Sequence, residues 1–352
     1  MLALLAGLWA ALLRLGWNLP HPGLSAAHGP LMVCGFLGTL ISLERAVALG
    51  ESWTYAAPVL SGVGALALIA GVPGPLPAML ITLGSLGLVA SFAAILRRQA
   101  ALFTAAMGLG AVAWLIGNCL WMAGIPIVDM FAWWAGFLVL TIFGERLELS
   151  RLTGPGEKSR LLFTAAAGIL VAGLALSSRA PSLGLRVSGA AMLLAGFWLW
   201  RCDLARRTVW QHGLTRFIAA NLLAGYFWLG AAGLAWLWFG SDLTTFHYDV
   251  MLHAVFLGFV FSMIFAHAPI IFPAVLQRPL PYRPAFYVHS ALLHLSLAVR
   301  IAGDLTGSYA LFSWGGLLNV LAIVLFVANT AGSIAFAAAP NRGRQIRPAA
   351  AG

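Results

Sequence analysis

The chain is a succession of long apolar runs, each about as long as a helix that crosses a lipid bilayer, separated by short polar segments. A membrane-crossing helix needs about 20 mostly apolar residues. Runs of this kind occur near 2–17, 28–49, 54–72, 76–96, 101–124, 128–149, 161–178, 183–201, 216–239, 249–276, 284–303 and 308–338. The sequence therefore predicts an all-α fold, a polytopic membrane bundle of about twelve transmembrane helices.

The composition excludes a water-soluble domain. Only 9% of the residues are charged and 61% are hydrophobic, whereas a soluble domain carries about 25% charged residues. The net charge of +10 lies in short loops between apolar runs, which argues against a nucleic-acid partner and for the lipid bilayer. The chain contains no GxxxxGK[ST] loop, so it has no nucleotide site of that type.

The basic residues predict the orientation of the bundle. With the N-terminus in the cytoplasm, every Lys and Arg except Arg14, Arg179, Arg186 and Arg300 falls in a cytoplasmic loop or in the tail. This agrees with the positive-inside rule and places both termini in the cytoplasm. We expect one integral membrane domain over 1–340 and a basic cytoplasmic tail over 341–352.

A short phrase recurs in the second, sixth and tenth runs. In each, a Gly precedes a polar residue by nine positions, with an Ile three positions before that residue. The phrases are Gly35-Phe36-Leu37 before Glu44-Arg45, Gly136-Phe137-Leu138 before Glu145-Arg146, and Gly258-Phe259-Val260 before His267-Ala268. The spacing predicts three four-helix units, roughly 1–100, 101–202 and 203–340, around a pseudo-threefold axis. The alternative is coincidence in a chain rich in Gly, Phe and Leu.

Two histidines of the tenth run indicate a functional site within the membrane. An ionisable residue inside a span is costly unless it is paired or liganded. His253 and His267 lie 14 residues apart. In an α-helix this separation returns to within about 40° of the same face after a rise of about 21 Å. Such a geometry suits axial ligands of hemes in the two leaflets. The alternative is that both side chains only hydrogen-bond to neighbouring helices.

The other histidines complete two candidate sites. An outer site would use His28 and His253 as heme iron ligands, with Arg300 or Arg14 meeting the propionates. An inner site would use His267 with His294 or His289 for a second heme or for copper. The predicted cofactor is therefore heme b, one or two per chain, with copper as the alternative at the inner site.

The acidic residues have simpler interpretations. The pairs Glu44-Arg45 and Glu145-Arg146 predict an interhelical salt bridge at the inner interface, with proton relay or propionate binding as alternatives. Asp249 and Asp304 lie near the outer ends of their runs, where we expect them to cap helices.

The repeat on runs two, six and ten, with His28 on run two and His253 on run ten, resembles the heme-copper oxidase superfamily, which has twelve helices in three four-helix units. Within it, the chain is most similar to the small NnrS-type proteins of the nitric oxide response. The resemblance implies a bacterial inner membrane, heme b, and electron transfer or nitric oxide binding, with a donor protein or quinol as partner. It does not extend to the binuclear centre, because 131–151 and 161–178 contain no His.

Three functions therefore stay open. The first is a heme-binding protein, which if catalytic would be an oxidoreductase. The second is a transporter of a small organic ion or a metal, suggested by polar and Pro positions within the runs: Asn118, Asn221, Pro269, Pro273, Asn319 and Asn329. The third is an accessory or assembly subunit of a membrane enzyme.

Overall fold

The computed structural model describes residues 1–151 and 156–338, and this part of the chain is all-α. Its α-helices are α1 (Leu2–Arg14), α2 (Thr39–Leu49), α3 (Ala56–Ile69), α4 (Leu76–Arg98), α5 (Leu102–Met122), α6 (Ile127–Ser150), α7 (Glu157–Ser177), α8 (Pro181–Cys202), α9 (Ala205–Thr208), α10 (Gly213–Phe239), α11 (Thr245–His253), α12 (Ser262–Leu276), α13 (Phe286–Thr306) and α14 (Tyr309–Ala338). A π-helix, Pro30–Gly38, precedes α2, and a second, Ala254–Phe261, joins α11 to α12.

The predicted membrane bundle is confirmed. In the described part of the chain, 11 helical segments are long and apolar enough to cross a membrane. The first predicted run, 2–17, contains α1, an apolar helix of only 13 residues, and the other eleven predicted runs correspond to these segments. The predicted tail, 341–352 with Arg342, Arg344 and Arg347, lies outside the described residues.

The helices pack in chain order and close into a ring. Each membrane-crossing segment contacts the next one along the chain, and α14 returns to contact α1. The hydroxyl of Tyr309, in the first turn of α14, donates a hydrogen bond of 2.7 Å to the carbonyl oxygen of Leu15, just after α1. This bond ties the beginning of the chain to its last helix.

The three segments that carry the repeated phrase meet inside this ring. The rings of Phe36 and Phe261 stack with centroids 6.4 Å apart, which joins the second span to the tenth. The sixth span, α6, is the most enclosed of the described spans, since 83% of its most apolar 18-residue stretch is buried inside the bundle. The arrangement predicted from the repeat, three four-helix units around a common axis, would place these three spans in contact at the centre.

Both π-helices occupy the same place in the repeat. Gly35 lies in Pro30–Gly38 and its counterpart Gly258 lies in Ala254–Phe261. A Cβ at Gly258 would overlap the indole of Trp228 on α10, so this close approach requires glycine. A π-helix turns less per residue than an α-helix because its bonds run from i to i+5. The same-face geometry expected for His253 and His267 assumed an unbroken α-helix, so it does not carry over to this span.

Candidate functional site

Buried and half-buried polar side chains gather at both ends of the bundle. We call the end with Arg45 and His267 the inner end, and the end with His28 and His253 the outer end. The outer cluster consists of five side chains from three segments: His28, Asp249, His253, Arg300 and Asp304. His28 lies two residues before the first π-helix, Asp249 and His253 lie on α11, and Arg300 and Asp304 lie on α13.

The two outer histidines form their hydrogen bonds through the same ring nitrogen, Nδ1. Nδ1 of His28 lies 2.8 Å from the carbonyl oxygen of Gly7 on α1. Nδ1 of His253 lies 3.0 Å from the carbonyl oxygen of Asp249. Because both partners are oxygen acceptors, each Nδ1 carries the proton and each Nε2 keeps its lone pair. Among the described residues neither Nε2 has a hydrogen-bond partner. A histidine that ligates a metal has the same arrangement, with one ring N–H donated to the protein and the other nitrogen available to the metal.

Charged groups surround the outer pair. His28 lies within electrostatic range of His253, Arg14 and Arg300. The Arg300 guanidinium forms two hydrogen bonds of 2.7 Å to the carboxylate of Asp249. The same carboxylate lies 3.1 Å from Nδ1 of His253. Asp249 therefore links the histidine to the arginine.

The helix-cap prediction for Asp249 is wrong. The side chain of Thr244 caps α11 by accepting a hydrogen bond from the amide of His247. Asp249 lies one turn further in, where its carboxylate compensates a buried guanidinium. Asp304 is 4% exposed and lies within electrostatic range of Asp249. Neither of its carboxylate oxygens has a hydrogen-bond partner in the described structure.

The inner cluster begins with a salt bridge between the second and sixth spans. Nη2 of Arg45 lies 2.7 Å from a carboxylate oxygen of Glu145 and 3.2 Å from one of Glu44. The predicted interhelical salt bridge is therefore present, and it joins α2 to α6.

A second set of contacts joins α6 to α12. Arg146 bonds the carboxylate of Asp203 at 2.8 Å and donates to Nε2 of His267 at 3.1 Å. Nδ1 of His267 donates to the carbonyl oxygen of Met263 at 2.7 Å. The three repeat-equivalent polar positions thus meet at the inner end, and Arg146 occupies the nitrogen of His267 that a metal would use.

The remaining predicted ligands lie apart from His267. Nδ1 of His289 lies 3.1 Å from the amide nitrogen of Asn329, and Nδ1 of His294 accepts from the indole of Trp228 at 3.1 Å. Since both Nδ1 atoms are acceptors, the hydrogen lies on Nε2, which is buried and unpartnered in each ring. No hydrogen bond or ring contact in the described residues joins either ring to His267. Nor do the described residues contain a cluster of three or more His, Cys, Asp or Glu suited to a metal ion.

Sequence reasoning missed Asp203 altogether. It follows the last residue of α8, and only the fold brings it to Arg146, 57 positions away. Its carboxylate also accepts from the amide of Ala205 at 2.7 Å, which fixes the start of α9. No spacing signal along the chain marks such a contact.

A family model described as a domain of unknown function (DUF8744) matches residues 1–335. The chain belongs to this family. The DUF8744 match extends from α1 into α14 and so includes both the outer and the inner cluster. No curated protein matches the chain, and no solved structure matches it.

Proposed function

We propose that this DUF8744 protein binds heme b in a bacterial inner membrane, with His28 and His253 as axial ligands, and acts in electron transfer or nitric oxide binding. One observation supports this most: both rings donate Nδ1–H to a protein oxygen and keep Nε2 free. The predicted orientation makes the inner end cytoplasmic and puts this pair near the opposite surface. When bound, heme supplies one-electron redox chemistry and affinity for nitric oxide.

The charges around the pair fit the acidic side chains of a heme. Arg300 is already compensated by Asp249, whereas Arg14 has no ion pair within the described residues. We therefore assign propionate binding to Arg14 ahead of Arg300. Two axial histidines suit electron transfer from a donor protein or quinol, while nitric oxide binding requires one of them to leave the iron.

The test is the spectrum of the purified protein and its variants. We expect protein from heme-supplied cells to show a low-spin b-type signal in reduced-minus-oxidised and pyridine hemochromogen spectra. His28→Ala and His253→Ala should each lower the heme content by about tenfold or more, because even the loss of a residue that only orients a ligand typically costs at least this much affinity. The exposed His212 supplies the control His212→Ala, which should retain the signal. A colourless wild-type protein, or unchanged heme in both variants, would refute the proposal.

A second candidate function, transport of a small ion or metal, is favoured by the polar face of α13. Ser290 bonds Asn221 at 2.7 Å, and Ser296 and Asn319 lie 2.6 Å apart. Ser290, Ser296 and Arg300 are spread over much of the length of α13. Polar groups buried in a membrane commonly mark ion pathways.

Transport predicts uptake into proteoliposomes without heme. Asn221→Leu, which removes the partner of Ser290, should abolish this uptake. Heme-free protein that moves none of the ions or metals offered would exclude the second function. Stable co-purification of a membrane enzyme would instead favour the accessory role.

A further inference from the structure

A basic cavity lies at the inner end, where α8 leads into α9. Its volume is about 310 Å³, and it is lined by Arg201, Cys202, Asp203, Leu204, Arg206 and Arg207. The turn at Asp203 folds this short segment back, which brings its three guanidinium-bearing residues around one space. The positive-inside rule accounts for basic residues in such a loop, but not for their convergence on one cavity.

The positive charge of this cavity is not neutralised by the protein. Arg201, Arg206 and Arg207 are exposed and have no ion pair or hydrogen bond to a carboxylate among the described residues. The single acid in the cavity wall, Asp203, has a side chain only 2% exposed. Its carboxylate is already engaged by Arg146 and by the amide of Ala205. The cavity is therefore a site for an anion.

The surface beside the cavity is apolar and faces outward from the bundle. Phe197 and Trp200, in the last turns of α8, are 57% and 45% exposed, and Trp210, just after α9, is 83% exposed. Tryptophan concentrates at the boundary between lipid and water. An apolar strip that ends in a basic cavity at this boundary matches an acyl chain followed by a phosphate.

We propose that this cavity binds the phosphate headgroup of an anionic phospholipid, with Arg201, Arg206 and Arg207 as ligands and acyl chains along Phe197 and Trp200. Guanidinium groups bind phosphate oxygens through paired, charge-assisted hydrogen bonds. Basic pockets on the cytoplasmic side of membrane proteins bind anionic headgroups in this way. The site is independent of the heme proposal, because it needs no residue of the outer cluster.

The cavity also adjoins the central contacts of the bundle. Asp203 forms part of its wall and bonds Arg146, which donates to His267. A bound phosphate would hold the segment from Arg201 to Arg207 in place and so support the position of Asp203. We therefore expect binding of the lipid to stabilise the folded protein.

The test compares lipids on delipidated, full-length protein in detergent. Native mass spectrometry and thermal unfolding should show binding and a raised Tm with phosphatidylglycerol, and neither with phosphatidylcholine or inorganic phosphate at the same concentration. Equal effects of the two lipids would overturn the headgroup assignment. An equal effect of inorganic phosphate would show a free-anion site and overturn the lipid assignment.

The variants test whether lipid binding depends on the arginines of the cavity or on surface charge in general. The triple change of Arg201, Arg206 and Arg207 to Gln should weaken phosphatidylglycerol binding about tenfold or more, since each hydrogen bond to a charged group contributes that order of affinity. A matched control changes three exposed arginines of the inner end outside the cavity to Gln: Arg97, Arg216 and Arg278. An equal loss in this control would refute the site. If the triple variant does not fold, Arg206→Gln alone should still weaken binding severalfold, and its unchanged affinity would also refute it.

Discussion

Replacing Asp203 with Ala is expected to lower the free energy of unfolding by about 3–5 kcal/mol, the cost of removing one partner from a buried ion pair. Asp203 and Arg146 have side chains 2% and 7% exposed, and they lie 2.8 Å apart. Without the carboxylate, the Arg146 guanidinium keeps its charge inside the bundle, with the neutral ring of His267 as its other partner. Reversible unfolding in mixed micelles would measure the difference.

An exposed ion pair of the chain supplies the control for this measurement. Arg98 and Glu51 lie 2.6 Å apart, but their side chains are 57% and 44% exposed. Glu51→Ala should therefore cost at most about 1 kcal/mol. The double variant Asp203→Ala with Arg146→Met should recover part of the loss, because no uncompensated charge remains. Equal costs for Asp203→Ala and Glu51→Ala would show that the buried pair does not hold the inner end together.

The inner cluster shows what spacing along a chain can predict. The registered positions Glu44, Glu145 and His267 were identified because each follows a Gly by nine residues. Equivalent positions of helices around one axis lie at one depth, and the structure joins them through Arg45 and Arg146. The predicted salt bridge followed from the same register. A periodic pattern in the sequence was sufficient for this part of the site.

The outer cluster shows where such reasoning ends. Asp249 was expected to cap a helix, because its position near the end of a run is all that the sequence shows. Its actual partner, Arg300, lies 51 residues away and reaches it only through the packing of α11 against α13. The π-helices were not predicted either, because the sequence pattern used for the spans does not distinguish a π-helix from an α-helix. These are tertiary effects without a local signature.

The two clusters differ in what their histidines can do. At the inner end, Arg146 donates to Nε2 of His267, so this ring is a hydrogen-bond acceptor within a charged network. At the outer end, Nε2 of His28 and of His253 face no protein donor in the described structure. Of the two predicted sites, the inner one is an ionic junction between the second, sixth and tenth spans, and only the outer one keeps two ring nitrogens without a protein partner among the described residues. In the outer cluster, the carboxylate of Asp249 contacts both His253 and Arg300.

The other large effect on stability is expected for Asp249→Asn, because Asp249 contacts both His253 and Arg300. The change removes the charge that compensates Arg300, whose side chain is 8% exposed, and should cost about 3 kcal/mol of unfolding free energy. It also weakens the acceptor that orients His253. If heme is bound, its affinity should therefore fall about 10–100-fold. Unfolding measurements and heme content on the same preparations would separate the two effects.

Asp304→Asn is the matched control, because the same chemical change occurs in the same cluster. The oxygens of Asp304 accept no hydrogen bond in the described structure, and Asp304 lies beside the acidic Asp249, so its replacement should cost much less stability than that of Asp249. In the Asp249→Asn variant, however, Asp304 supplies the remaining acidic side chain within electrostatic range of Arg300. The double variant should therefore lose more stability than the two single changes together. Additive losses would show that Asp304 does not take over from Asp249. An Asp304→Asn loss as large as that of Asp249→Asn would mean that Asp249 is not the main partner of Arg300.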